Sequence, residues 1–193
     1  AAAAATLVGT PVAHIHGGEL TEGAFDDALR HAITKMAHLH FAAAEPYRQR
    51  LIQLGEDPAD VHMVGALAAD NLRTLELMDR SALEADIGRA LGAPLVLATY
   101  HPVTRKGDAG LVDIEALIAV LERRPEASVV FTGVNADPGR DAVAGTVQNF
   151  VERSNGRASM YDSLGSLRYL SLMKIADVVI GNSSSGVIEA PIV

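Results

Sequence analysis

The sequence predicts an α/β chain made of two incomplete doubly wound units, each built on a parallel sheet. Short β-rich apolar runs alternate with longer stretches of helical periodicity, which is the pattern of βα units. The 193 residues are 49% hydrophobic, enough to bury a sizeable core. The rhythm breaks between Gly65 and Ser81, where no strand-like run occurs and charges accumulate. We therefore expect residues 1–66 to be the C-terminal part of a first domain, 67–80 a junction, and 81–193 most of a second.

The elements follow in order. Ala1 to Val8 has no basic leader and runs into Gly9-Thr-Pro11, so it reads as the end of a buried helix rather than a signal peptide. Val12 to Ile15 is a strand, Asp26 to Ala37 a helix, His40 to Ala43 a strand, Pro46 to Leu54 a helix stopped at Gly55, and Val61 to Val64 a strand. Ser81 with Glu84 three residues on suggests a capping box for a helix to Leu91, with Gly92 as its stop. Pro94 to Thr99 reads as a buried strand, Leu111 to Arg123 as a helix, and Ser128 to Thr132 as a strand of Val and Phe. Arg140 to Arg153 is a helix, Ser159 to Tyr161 an edge-like strand, Leu167 to Ala176 a helix and Val178 to Ile180 a strand. The first unit thus offers about three strands where open sheets have about 4–6. The chain also stops just after a motif that should start a helix, so it reads as a piece of a longer protein.

Composition removes several classes. A net charge of -8 and the lack of a Lys/Arg block argue against a nucleic-acid binder, which gains affinity by neutralising phosphates with clustered cations. The absence of cysteine excludes disulfides and thiolate metal sites and fits a reducing cytoplasm. No apolar run reaches the roughly 18 residues of a membrane span.

Four segments could carry chemistry. His14-Ile-His-Gly-Gly-Glu19 ends a strand, where open α/β sheets place ligands. Its glycines permit close backbone approach, and His16, Glu19, Asp26 and Asp27 bring protonatable groups together. Crowded carboxylates suit proton transfer, but Asp26 or Asp27 could equally cap the next helix and Glu19 could be solvated. His14 and His16 have no evident third ligand, so no metal is expected. His31, His38, His40 and His62 lie in helical or strand patterns and read as structural, with His31 close to the carboxylates.

In Thr99-Tyr-His-Pro-Val-Thr104 a buried strand presents His101 at its carboxyl end, as a site residue or as a satisfied loop histidine. Phe131-Thr-Gly-Val-Asn-Ala-Asp137 is another strand end, whose Asn135 and Asp137 are ordinary turn formers. Val178 to Glu189 runs from a strand through Asn182-Ser-Ser-Ser185 to a helix start. That turn offers N–H groups and hydroxyls to a diphosphate, and Glu189 could accept bonds from ribose hydroxyls. It is neither a P-loop nor a dinucleotide fingerprint.

Taken together, these segments resemble the hydrolysing UDP-N-acetylglucosamine 2-epimerases of bacterial sialic-acid and legionaminic-acid pathways. The likeness runs from His14 to Glu189 and rests on His-Gly-Gly-Glu19, Arg30 to His38, Val64-Gly-Ala66, His101-Pro-Val-Thr104, Asn135-Ala-Asp137 and Gly181-Asn-Ser-Ser184. It implies two Rossmann-like domains facing across a cleft, the GT-B arrangement, and a cofactor-free reaction. In that reaction a proton leaves C2, UDP is eliminated, and water adds to the glycal to release an N-acetylmannosamine-type sugar. By resemblance Glu19, Asp26 or Asp27 and His16 would be acid/base residues, and His101 would bind the diphosphate or assist its departure. Asn135 would lie near the sugar nucleotide, the main chain around Leu164 would meet the uracil, Ser183 and Ser184 would hold phosphate, and Glu189 the ribose.

One departure is His16, which stands where the animal and non-hydrolysing enzymes carry glutamate. The family's N-terminal Gly-Thr-Arg loop, a further aspartate and a late arginine are absent, so a polypeptide of these residues alone should be inactive. The resemblance also implies a cytoplasmic dimer or tetramer. Competing readings are a non-hydrolysing epimerase, a GT-B glycosyltransferase and an inactive nucleotide-sugar sensor.

Overall fold

A computed structural model describes residues 1–22, 26–102, 110–133 and 139–193. The chain divides into two compact units, Ala1–Asn71 and Leu72–Val193.

The first unit contains helix α1 (Ala2–Leu7), strand β1 (Ala13–Ile15), helix α2 (Asp26–Met36), strand β2 (Leu39–Ala42), helix α3 (Glu45–Gln53), a short 3-10 turn at Pro58–Asp60 and strand β3 (Val61–Met63). Its sheet is parallel in the order β1-β2-β3, with His14 beside His40 and Phe41 beside His62. The apolar core here is small, formed by Ala42, Leu51 and Val61 with Tyr47 and Ile52 packed on it. Polar side chains fill the rest of the interior. His14, Thr34 and His40 are all buried, and His40 Nε2 lies 3.2 Å from Glu56 Oε2. Helix α1 differs from the expected buried helix, for it forms but none of its residues is buried, Leu7 included.

The boundary between units falls within helix α4 (Leu67–Thr74), in the stretch where charges interrupt the strand pattern. The second unit continues with helix α5 (Arg80–Ile87), strand β4 (Leu95–Thr99), helix α6 (Leu111–Glu122), strand β5 (Ser128–Thr132) and helix α7 (Arg140–Arg153). Strand β6 (Ala158–Tyr161), helix α8 (Gly165–Ile175), strand β7 (Val178–Gly181) and helix α9 (Ser185–Ile188) complete it. The parallel sheet has the order β6-β5-β4-β7. The chain therefore moves outward from β4 to β6, then returns through α8 to place β7 on the other side of β4. That reversal creates a topological switch point between β4 and β7, where open α/β sheets bind ligands.

Alternation along β4 shows why it is the central strand. Val96 and Ala98 face one layer with α6 and α7, while Leu95 and Leu97 face the other with α5 and α8. All five residues of β4 are buried. Strand β6 lies at the sheet edge, as its short run predicted.

The cap of α5 differs from the expected capping box. Asp79, not Ser81, is the N-cap, and its Oδ1 accepts from the Ala82 N–H (2.8 Å) and the Ser81 hydroxyl (2.9 Å). A carboxylate is the stronger acceptor at a helix start, so it displaces the serine. Glu84 accepts instead from the Leu91 N–H (2.9 Å), and Gly88, in the left-handed conformation, ends the helix before Gly92 is reached. No helix among the described residues is long and apolar enough to cross a membrane.

Candidate functional site

At the carboxyl end of β1 the backbone turns sharply through His16, Gly17 and Gly18. His16 has φ 61°, a left-handed conformation that a non-glycine residue adopts only at a cost. The turn is held from below. A Cβ on Gly17 would sit 2.9 Å from His14 Nδ1, and one on Gly18, whose φ is +80°, would sit 2.3 Å from the Tyr47 carbonyl oxygen. Arg50 on α3 donates to the Gly18 carbonyl. The glycines thus allow the turn to lie flat on His14 and α3, and the result is to present His16 beside Glu19, with Nδ1 2.7 Å from Oε1.

Helix α2 supplies the next groups. Arg30, mostly shielded from solvent, donates to the Thr21 hydroxyl (2.9 Å) and the Glu19 carbonyl (3.4 Å) and reaches one oxygen each of Asp26 (3.4 Å) and Asp27 (3.5 Å). Asp27 Oδ1 also accepts from the Thr21 N–H at 2.8 Å, so its carboxylate ties the loop after Glu19 to the start of α2. Asp26 is half exposed and makes only the contact with Arg30 among the hydrogen bonds described. The two neighbours therefore separate into an anchoring carboxylate, Asp27, and a more accessible one, Asp26. Spacing alone did not single out Arg30. Its signal was its position one helical turn after the aspartates.

Beneath the turn lies His14. The Thr34 hydroxyl donates to the Arg30 carbonyl (3.2 Å), which leaves its oxygen to accept from His14 Nδ1–H (3.2 Å). Burial, with the nearby His40, Arg30 and His31, holds the His14 imidazole below its ordinary pKa, so it is neutral and structural.

The second unit places a different set of groups at the switch point. Gly181, with φ 144°, crosses so close to β4 that a Cβ would fall 1.7 Å from the Thr99 carbonyl oxygen. The Asn182 N–H then donates to that carbonyl (3.2 Å). The Asn182 side chain turns back to His101, accepting from its N–H (2.7 Å) and donating to its carbonyl (2.8 Å). Ser183 and the buried Ser185 share a hydroxyl contact of 2.9 Å, and Ser185 meets the Tyr169 hydroxyl at 2.5 Å. Ser184 is exposed and makes no capping bond, so its hydroxyl is not committed to the helix start.

The helix itself is only Ser185–Ile188, and Glu189 falls at its C-cap. Burial raises the Glu189 carboxyl above its ordinary pKa. Leu164 buries its side chain and leads into α8 at Gly165, where the N–H bonds the Ser163 hydroxyl (3.3 Å). Asn135 lies outside the described residues. A hollow of about 410 Å³ lined by Glu122, Phe150, Arg153 and Arg157 opens near the amino ends of β5 and β6, away from these groups.

The structure thus gathers His16, Glu19, Asp26 and Asp27 in the first unit and His101, Ser183 and Ser184 in the second. Comparison with known proteins identifies the family. The chain is 42% identical over 185 residues to the GDP/UDP-N,N'-diacetylbacillosamine 2-epimerase (hydrolyzing) of Campylobacter jejuni, covering 96% of this chain and 48% of that protein. It is 32% identical over 191 residues to the UDP-N,N'-diacetylbacillosamine 2-epimerase (hydrolyzing) of Legionella pneumophila, covering 98% of this chain and 49% of the relative. The crystal structure of UDP-GlcNAc 2-epimerase from Neisseria meningitidis bound to UDP-GlcNAc superposes with a TM-score of 0.74 at 16% identity, over 94% of this chain and 50% of that one. The chain therefore spans about half the length of these relatives. Since the family profile for UDP-N-acetylglucosamine 2-epimerase matches residues 1–193 from end to end, the chain belongs to that family.

Proposed function

We propose that the protein containing this chain is a hydrolysing 2-epimerase that converts a UDP-linked 2-acetamido sugar to the free C2 epimer and UDP. The observation that carries this reading is the His16–Glu19 pair at the end of β1, with Asp26 nearby at the start of α2. A carboxylate accepting from Nδ1–H fixes the imidazole tautomer and leaves Nε2 with the lone pair, the arrangement of a general base. His16 Nε2 takes the C2 proton. The electrons left at C2 form the C1–C2 double bond, and the C1–O bond to UDP breaks with its pair leaving on the diphosphate. Water then adds across the glycal: Asp26 in its acid form protonates C2 from the opposite face, the water oxygen bonds C1, the proton this water sheds restores the Asp26 acid, and His16 gives up the C2 proton to solvent.

In the second unit His101 meets the leaving diphosphate, and the hydroxyls of Ser183 and Ser184 hold phosphate oxygens. Asn135 is assigned to the sugar nucleotide, the main chain at Leu164 to the uracil, and Glu189 to the ribose. We assign residues 1–66 to the C-terminal part of the first Rossmann-like domain, which carries the acid/base groups, 67–80 to the junction and 81–193 to most of the second, UDP-binding domain. No redox cofactor enters, because proton transfer and loss of UDP account for every electron. The sugar is N-acetylglucosamine or, as the Campylobacter and Legionella relatives suggest, a 4-acetamido-trideoxy analogue. We further propose that the protein is a cytoplasmic homo-oligomer, a dimer or a tetramer.

Incubating the full-length protein with each UDP-sugar in deuterated water and following it by NMR tests the reading. Free epimerised sugar with deuterium at C2 supports it. A UDP-linked epimer would make the enzyme non-hydrolysing. An unchanged sugar would sink both, in favour of a glycosyltransferase or an inactive sensor.

A further inference from the structure

We propose that Asn182 is the residue that positions His101, so that the chain end of β7 sets the geometry of a group carried by β4. The inference rests on the reading of His101 as the group that meets the leaving diphosphate. Strands β4 and β7 are neighbours at the switch point although their facing residues lie about eighty positions apart, with Thr99 in register with Gly181. Gly181 brings the β7 backbone against the Thr99 carbonyl, and the next residue spends its whole side chain on His101.

The chemistry of that contact is selective. The backbone of His101 presents one donor and one acceptor, and Asn182 answers with one acceptor at 2.7 Å and one donor at 2.8 Å on a single planar group. Serine could satisfy one of these partners, aspartate only the N–H, and leucine neither. Asn182 is also exposed, so water could satisfy the same backbone groups if the amide were absent. Two bonds to groups that water could serve add little to folding, and what they fix is the position of the residue they hold. The two bonds stop His101 from swinging as β4 leaves the sheet, and they lock the start of the Ser183–Ser185 loop to the same point. Asn182 itself points at backbone rather than at a ligand, which makes it a positioning residue and not a catalytic one.

The test compares N182A, N182D, H101A and the double variant N182A/H101A in the full-length protein, following UDP release and thermal midpoint. We expect N182A to lose about 10- to 100-fold in kcat, as a misplaced catalytic group does, while KM changes less than about threefold. N182D keeps the acceptor for the His101 N–H and should recover part of that loss. Because Asn182 acts through His101, N182A should cost almost nothing more in the H101A background. The proposal is overturned if the wild-type enzyme releases UDP and N182A matches it, or if the N182A loss multiplies in full with that of H101A. Should N182A fail to fold, N182D decides, since an isosteric variant that folds and keeps full kcat also overturns it. A wild-type protein that releases no UDP overturns the proposed function instead and removes the inference with it.

Discussion

His16 Nδ1 lies 2.7 Å from Glu19 Oε1, and it reaches that carboxylate only because His16 takes a left-handed backbone of φ 61° over a glycine pair. The partners lie three positions apart. In an extended strand they would point to opposite faces, so the turn, rather than the spacing, makes the pair. A left-handed non-glycine residue costs about 1–2 kcal/mol, and here the strain is spent where a tautomer must be fixed.

The pair gives the first prediction. Glu19→Gln should lower UDP release by at least about 100-fold, because the neutral amide no longer favours the Nδ1–H tautomer and the positive charge that His16 gains. His16→Gly should abolish release yet stay within about 1 kcal/mol of the parent in urea unfolding, since glycine accepts the backbone. His16→Val should be less stable than His16→Gly by about 2 kcal/mol, because a branched side chain resists that conformation. Equal stabilities of the two variants would contradict the strain.

The adjacent aspartates should separate by phenotype. Asp27→Asn weakens the acceptor for the Thr21 N–H and the Arg30 pairing, so it should cost about 1–2 kcal/mol of stability. Asp26→Asn, at a half-exposed carboxylate, should leave the unfolding midpoint close to the parent while lowering turnover by about 100-fold or more. Parallel activity and denaturation curves check both. The reverse assignment of effects would move the acid role to Asp27.

At the switch point, Gly181→Ala should destabilise the protein by about 3 kcal/mol or more, because a Cβ would lie 1.7 Å from the Thr99 carbonyl oxygen and φ is 144°. A neighbouring glycine supplies the control. Gly186→Ala meets nothing within 4 Å and should change the thermal midpoint little.

His14 should make stability fall on mild acidification. Its folded pKa is lowered, first by burial and then by His40, Arg30 and His31. Between that lowered value and the ordinary imidazole pKa the unfolded chain binds more protons than the folded one, so stability rises with pH through the window and is lost as pH falls through it. His14→Asn, which cannot titrate there, should show a shallower dependence in urea unfolding across the window. An unchanged slope would show that the fall comes from another group.

Much of the fold was legible from local pattern. Strand β5 and helix α7 run between the residues that apolar periodicity marked, and the placing of His16, His101 and Ser183 at strand ends follows from where the apolar runs stop. The misjudged helix α5 shows where that reading fails. Ser81, Glu84 and Gly92 make a good local signature, yet Asp79 and Gly88 are used, because two competing caps differ by a fraction of the energy that packing supplies.

By itself, then, the sequence determined which segments are strands and helices, which loops leave strand ends and which side chains those loops carry, because each follows from periodicity and turn chemistry within a few residues. The tertiary structure decided that β7 returns beside β4, that Asn182 therefore meets His101, that the Thr21 N–H distinguishes Asp27 from Asp26, and that His14 fills the space under Gly17. These relationships join positions up to about eighty residues apart through one or two hydrogen bonds or a close contact. Such contacts depend on how the elements pack, and a one-dimensional pattern holds no term for packing.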